Sequence, residues 1–107
     1  MKMQNLPFIT LPKRFENMVF LELMKKGHTI YYSDNLNLYI PEKNYGVLCI
    51  PFLPQEMMKL RLQKILLHVK ELELKKIDIV TLGNEGKFWL KNIKCSIIPF
   101  WDWALQD

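Results

Sequence analysis

Between Pro12 and Lys26 the apolar positions Phe15, Met18, Val19 and Leu23 recur at helical spacing, which gathers their side chains on one face of a helix. Pro12 suits a first helical turn, Lys25 and Lys26 suit a last one, and Gly27 stops the element, so a helix is predicted over Pro12–Lys26. Glu22 lies one turn beyond Met18 and Val19 and is expected toward their apolar face, an unusual position for a carboxylate. His28–Tyr32 is a β-branched and aromatic run closed by Ser33-Asp34-Asn35, a strand followed by turn chemistry. Leu36, Leu38 and Ile40 then alternate with Asn37 and Tyr39, the period-2 pattern of a strand with one buried face, before Pro41–Asn44 turns the chain. Val47–Ile50 is apolar without interruption, which predicts a central strand covered on both faces and ended by Pro51 and Pro54.

The second half begins with Met58, Leu62, Ile65, Val69 and Leu72 recurring at spacings of four and three among charged residues, which predicts a long amphipathic helix over Gln55–Leu74. The repeat is too short for a coiled coil, so this helix is expected to pack on the sheet. Ile77–Leu82 reads as a strand, Gly83–Gly86 as a turn, and Phe88–Leu90 and Ile93–Ile98 as further β-type runs. Phe100–Leu105 is expected to form a short aromatic helix that docks on the core, and Met1–Leu11, bracketed by Pro7 and Pro12, an extended lead-in. The order is helix, three strands, long helix, strand and closing aromatic segment. It predicts an α/β domain in which Val47–Ile50 and Ile77–Leu82 pair in parallel across the long helix.

Length and composition narrow the class. A chain of 107 residues that is 50% hydrophobic and 24% charged fits one globular domain, and 1–107 is taken as a single unit. Its apolar runs are far shorter than the ~20 residues of a membrane span. Pro7, Pro12, Lys13, Arg14 and Glu16 interrupt what would have to be a signal peptide, so a cytoplasmic protein is expected. Cys49 and Cys95 stand in apolar stretches without a second thiol or histidine at metal-ligand spacing, and both are expected to be buried and reduced. His28 and His68 are isolated and read as structural. Trp89, Trp101 and Trp103 are expected to close a small core with their large apolar rings. The net charge of +4 permits weak, non-specific contact with nucleic acid, for which Lys13, Arg14, Lys25 and Lys26 are the candidates.

No phosphate-binding glycine loop, HExxH helix, nucleophile elbow or paired-cysteine site occurs. A longer pattern does. Glu16-Asn17-Met18-Val19-Phe20-Leu21-Glu22-Leu23 precedes Lys25-Lys26-Gly27 and a run ending in Tyr31-Tyr32, and the chain closes on Ile98-Pro99-Phe100-Trp101-Asp102-Trp103-Ala104-Leu105. From Leu11 to Leu105 it resembles the C-terminal domain of archaeal and bacterial AAA-type ATPases, which belongs to the PD-(D/E)XK superfamily. The resemblance implies a restriction-endonuclease-like core, a mixed sheet flanked by helices.

In such domains an aspartate on the second strand and a glutamate or glutamine, two residues before a lysine, on the third hold Mg²⁺ and the attacking water. The resemblance puts Asn37, Cys49 and Pro51 at those positions, and Glu16 and Glu22 at the first-helix acids. It therefore implies a degenerate site with no metal or other cofactor. The expected role is that of a non-catalytic nuclease-like domain, a binding or structural partner of an ATPase module, another protein or nucleic acid. The alternative is a divergent Mg²⁺-dependent nuclease using Glu16, Glu22 and Asp34 or Glu42, reached by a shift in strand register. A third reading is a small protein–protein interaction module.

Overall fold

A computed structural model describes residues 11–32, 36–52, 54–68 and 72–106. Helix α1 (Leu11–Lys25) is followed by strands β1 (Tyr31–Tyr32), β2 (Leu38–Ile40) and β3 (Tyr45–Cys49). Helix α2 (Gln55–His68) leads to β4 (Lys76–Thr81), β5 (Gly86–Leu90) and β6 (Ile93–Pro99), and α3 (Phe100–Ala104) follows without a break. The six strands form one mixed sheet in the order β1-β2-β3-β4-β6-β5. β3, β4 and β6 run parallel, while β1, β2 and β5 pair antiparallel with their neighbours. The apolar run of β3 thus lies between β2 and β4, and α2 makes the crossover between the parallel pair.

The sheet is the middle of three layers. Strand side chains alternate between faces, so Leu48, Ile77, Ile79, Cys95 and Ile97 meet Leu62 and Ile65 of α2. On the other face Val47, Cys49 and Val80 meet Phe15, Val19 and Leu23 of α1 and Trp103 of α3. Burying each such large side chain contributes about 1.5–3 kcal/mol, which makes packing on the sheet the chief reason these helices persist. Gly27 ends α1 at φ 84°, with its N–H donating to the Met24 carbonyl and that of His28 to the Leu23 carbonyl. This is a Schellman cap, which needs a left-handed residue and so favours glycine.

Several expectations change. The strand foreseen over His28–Tyr32 shrinks to two exposed residues, because the Gly27 cap consumes His28 and only Tyr31 and Tyr32 reach β2. Helix α2 is described as far as His68, residues 69–71 lie outside the described residues, and Leu72–Leu74, expected in the helix, are not helical. Lys75 and Lys76 both donate to the Asn44 carbonyl, so the chain must turn back to start β4 beside β3. The β-type runs Phe88–Leu90 and Ile93–Ile98 are the strands β5 and β6, which the expected element order did not count, and β6 inserts between β4 and β5.

The tryptophans divide. Trp103 is 3% exposed, whereas Trp89 is 63% and Trp101 54% exposed. Trp101 and Trp103 stand about 200° apart around a helix, so both cannot face the sheet. Trp89 points to the face of edge strand β5 opposite the one on which Phe88 and Leu90 pack. The lead-in 1–10 lies outside the described residues, and Leu11 belongs to α1. No helix among the described residues is long and apolar enough to cross a membrane.

Candidate functional site

The positions singled out by the sequence meet where α1 passes the start of β2 and the end of β3. The Asn37 Nδ2 donates to Glu16 Oε2 at 2.6 Å, and the backbone N–H of Cys49 donates to Asn37 Oδ1 at 2.7 Å. Lys13, one helical turn before Glu16, approaches its second oxygen, with Nζ 3.6 Å from Oε1. The carboxamide thus uses a donor toward an acid and an acceptor toward the backbone. This fixes its orientation, since a flipped amide would set two acceptors and two donors against each other.

The cluster is a closed set of hydrogen bonds. Two acids sharing a site need a cation between them, because like charges at hydrogen-bond distance cannot both stay ionised. Here the amide N–H₂ stands in the cation's place and the pair contains a single charge. Burial, with the Glu16 charge adding to it, pushes the Cys49 thiol well above its ordinary value, so it is a neutral buried group rather than a soft ligand. Pro51 brings no cation, and its carbonyl accepts the Leu82 N–H at 3.2 Å, which extends the β3–β4 pairing past the strand end.

The other candidate acids do not join this cluster. Glu22 is half-buried on α1. Six residues after Glu16 it lies about 9 Å further along the helix axis and on another side of it. Glu42 belongs to a single exposed 3-10 turn, Pro41–Lys43, ahead of β3, with its carboxylate 4.0 Å from His28 Nδ1. A register shift does not bring it to Asn37, because Asn37 precedes β2 and Glu42 follows it. Asp34 lies outside the described residues. Among the described residues no three His, Cys, Asp or Glu side chains stand close enough together to hold a metal ion.

A second polar cluster lies on the same face of the sheet at the other end of β3. Asp78, 2% exposed in the middle of β4, accepts a 2.5 Å hydrogen bond from the Tyr45 hydroxyl, and that hydroxyl accepts one of 2.8 Å from Trp103 Nε1. Lys76 Nζ stands 3.8 Å from the Asp78 carboxylate and 5.5 Å from the centre of the Tyr45 ring. Burial raises the Asp78 carboxyl above its ordinary value, against the opposing pull of the Tyr45 hydrogen bond and Lys76. It raises the Tyr45 hydroxyl as well, with the Asp78 charge adding to it.

Sequence reasoning overlooked this group, although it had a visible signal. An aspartate inside the apolar strand Lys-Ile-Asp-Ile-Val-Thr must find a partner or unfold the strand around it. Of the basic residues read as nucleic-acid contacts, Lys13 is committed to Glu16. Lys26 donates to the Gln106 carbonyl and lies 5.5 Å from the centre of the Trp103 ring. Lys25, Arg14 and Lys13 are exposed along α1. Comparison of the chain with known protein families, curated proteins and solved structures gives no match to any of them.

Proposed function

We propose that this chain is a non-catalytic, nuclease-like domain of restriction-endonuclease-like architecture that serves as a binding or structural partner. The observation behind the reading is the Glu16–Asn37–Cys49 cluster. Of the positions that the resemblance singles out, Glu16, Asn37 and Cys49 lie together and Glu22 stands apart, and an amide and a backbone N–H face the acid where the reading would need a second carboxylate and a cation. Phosphodiester hydrolysis by this route needs a divalent ion that activates water and offsets the developing charge. A hard ion held through Glu16 alone would gain too little to displace the Asn37 and Lys13 contacts.

A binding role draws support from α2, which buries Leu62 and Ile65 but leaves Met57, Leu60 and Leu67 exposed. These residues fall at helical spacing along its outer side, a surface suited to an ATPase module or another protein.

Plasmid, single-stranded DNA and RNA, each incubated with the purified protein and Mg²⁺ or Mn²⁺, test the reading beside a Glu16→Ala variant. No cleavage is expected from either protein. Cleavage by the wild type that disappears in the variant would establish the divergent nuclease instead.

A further inference from the structure

Strand β5 has β6 on one side and, among the described residues, no strand on the other. The two-residue loop Lys91-Asn92 joins it to β6, with Leu90 in register with Ile93. Residues that close such a loop share a hydrogen bond, and bonded and non-bonded pairs alternate along an antiparallel ladder. Phe88 therefore bonds toward β6 as Leu90 does, while the N–H and C=O groups of Lys87 and Trp89 face the open edge. Lys94, in register with Trp89, fixes the same phase, because its N–H donates away from β5 to the Lys75 carbonyl at 3.1 Å.

A groove runs beside this edge. Leu60, Gln63, Lys64 and Leu67 recur at the spacing of one helix stripe, and this stripe of α2 overlooks β5 while Leu62 and Ile65 pack on the sheet. Two depressions between α2 and β5, of about 460 and 760 Å³, share Lys59, Leu60 and Gln63 and so form one groove. Leu60 and Leu67 line it from the helix with 61% and 71% of their surfaces open, and Phe88 and Leu90 line it from the sheet. Its charge is one-sided, with Lys59, Lys64, Lys87 and Lys91 against Glu56. The Lys59 Nζ stands 6.0 Å from the centre of the Phe88 ring, so a cation lies over the apolar floor.

We propose that this groove takes an extended acidic segment of a partner polypeptide, which pairs with the open edge of β5 and turns alternate apolar side chains toward Leu60 and Leu67. The inference rests on the binding role proposed above and names the partner's chemistry. An added strand would lie about 4.8 Å beyond β5, within the groove and beside the α2 stripe. Its side chains would alternate between faces, so apolar residues at every second position would meet the leucines and Phe88. Acids between and beside them would meet the lysines. The five residues of β5 limit the paired stretch to about 17 Å.

Charge separates this occupant from others. A second copy would set four lysines against four, and lysines on an edge strand discourage pairing of like edges. Residues 1–10 of this chain carry Lys2 and no acid. A nucleic acid would satisfy the lysines but has neither backbone amides for the β5 edge nor apolar side chains for the leucines.

The test is calorimetric titration of the full chain with an end-blocked nine-residue peptide alternating glutamate and valine. Comparators are a peptide of the same composition with acids and valines in separate blocks, one with lysine for glutamate, and oligothymidylate. Two more alternating peptides are N-methylated, one on every glutamate amide and one on every valine amide. Sedimentation measures self-association, and circular dichroism verifies that each variant is folded. The alternating acidic peptide is expected to bind, the block peptide more weakly and the lysine peptide not at all. Methylation in one phase should abolish binding and in the other retain most of it, since only alternate amides of an added strand face β5.

Lys59→Glu with Lys64→Glu should weaken binding about tenfold or more, and Leu60→Ser with Leu67→Ser about tenfold. The matched reversal Lys25→Glu with Lys43→Glu, on α1 and the turn before β3, should leave affinity within about twofold, because solvent and salt screen charges at that distance. Failure of the alternating acidic peptide to bind at millimolar concentration, equal binding of the block or lysine peptide, indifference to methylation in both phases, or equal loss from the two lysine pairs would each overturn the proposal. So would oligothymidylate that binds more tightly than the peptide and weakens with the same α2 pair, or self-association that Leu60→Ser with Leu67→Ser abolishes. Cleavage activity in the wild type would count against the non-catalytic reading without touching this site, so the two can fail separately.

Discussion

Replacing Asn37 by aspartate changes one atom pair and reverses the logic of the cluster. The amide that donates to Glu16 at 2.6 Å becomes an acid facing an acid. At about 3 Å and an effective dielectric near 20, two charges would repel by about 5 kcal/mol, which exceeds the cost of taking up a proton. One of the pair therefore stays protonated in the folded state, and its hydroxyl can replace the lost donor. For a carboxyl with an unfolded value near 4, that uptake costs about 4 kcal/mol at pH 7 and about 1.4 kcal/mol at pH 5, or ~1.4 kcal/mol per pH unit.

The sign follows from linkage. A carboxyl raised in the folded state contributes stability that is present below its unfolded value and is lost as pH rises through the folded one. Asn37→Asp should therefore lie within about 5 °C of the wild-type midpoint at pH 5 and roughly 15 °C below it at pH 7, at ~4 °C per kcal/mol for a chain of this size. Millimolar Mg²⁺ or Mn²⁺ should recover part of the loss in the variant and shift the wild type little, because only the variant offers an ion two carboxylates. Thermal and urea unfolding followed by circular dichroism at pH 5, 6 and 7, with and without metal, supply the readout. A variant as stable as the wild type at pH 7 without metal, or a deficit that does not change with pH, would refute the account of the cluster.

The Asp78 carboxyl is also raised by burial, so the stability it confers at low pH is lost as pH climbs from the ordinary 3.8 through its folded value. Asp78→Asn keeps an acceptor for Tyr45 without that slope, and its stability relative to the wild type should improve between pH 4 and pH 7 in urea melts. Gly46→Ala would place a Cβ 2.9 Å from Leu36 Cδ1 and 3.3 Å from Leu74 Cδ2, where Leu36 is fully buried and has little room to move. A loss of about 1–3 kcal/mol is expected from such overpacking, and an unchanged unfolding midpoint would contradict it. Cys49 and Cys95 are both buried with raised thiols, Cys95 to about 11. A disulfide-exchange reagent at pH 8 should therefore titrate neither thiol in the native protein and both after denaturation, and prompt native reaction would show that a thiol is accessible.

Local pattern alone determined the elements whose side chains repeat with a clear period. Phe15, Val19 and Leu23 announce α1, and the uninterrupted Val47–Ile50 run announces a strand covered on both faces, because burial imposes the helical or strand period directly on the order of residues. Boundaries set by distant partners were not legible in this way. The start of β4 depends on the Asn44 carbonyl capturing Lys75 and Lys76, and the insertion of β6 between β4 and β5 depends on pairings that no local window contains.

The same division runs through the candidate sites. Resemblance singled out Glu16, Asn37 and Cys49, but only the folded chain showed that an amide links the acid to the backbone. The Tyr45–Asp78–Trp103 bonds join β3, β4 and α3, residues separated by as many as 58 positions in the chain. Hydrogen bonds and charge contacts act over a few ångströms in space, whereas sequence patterns register what lies within a few residues, so tertiary structure decided which polar groups would meet.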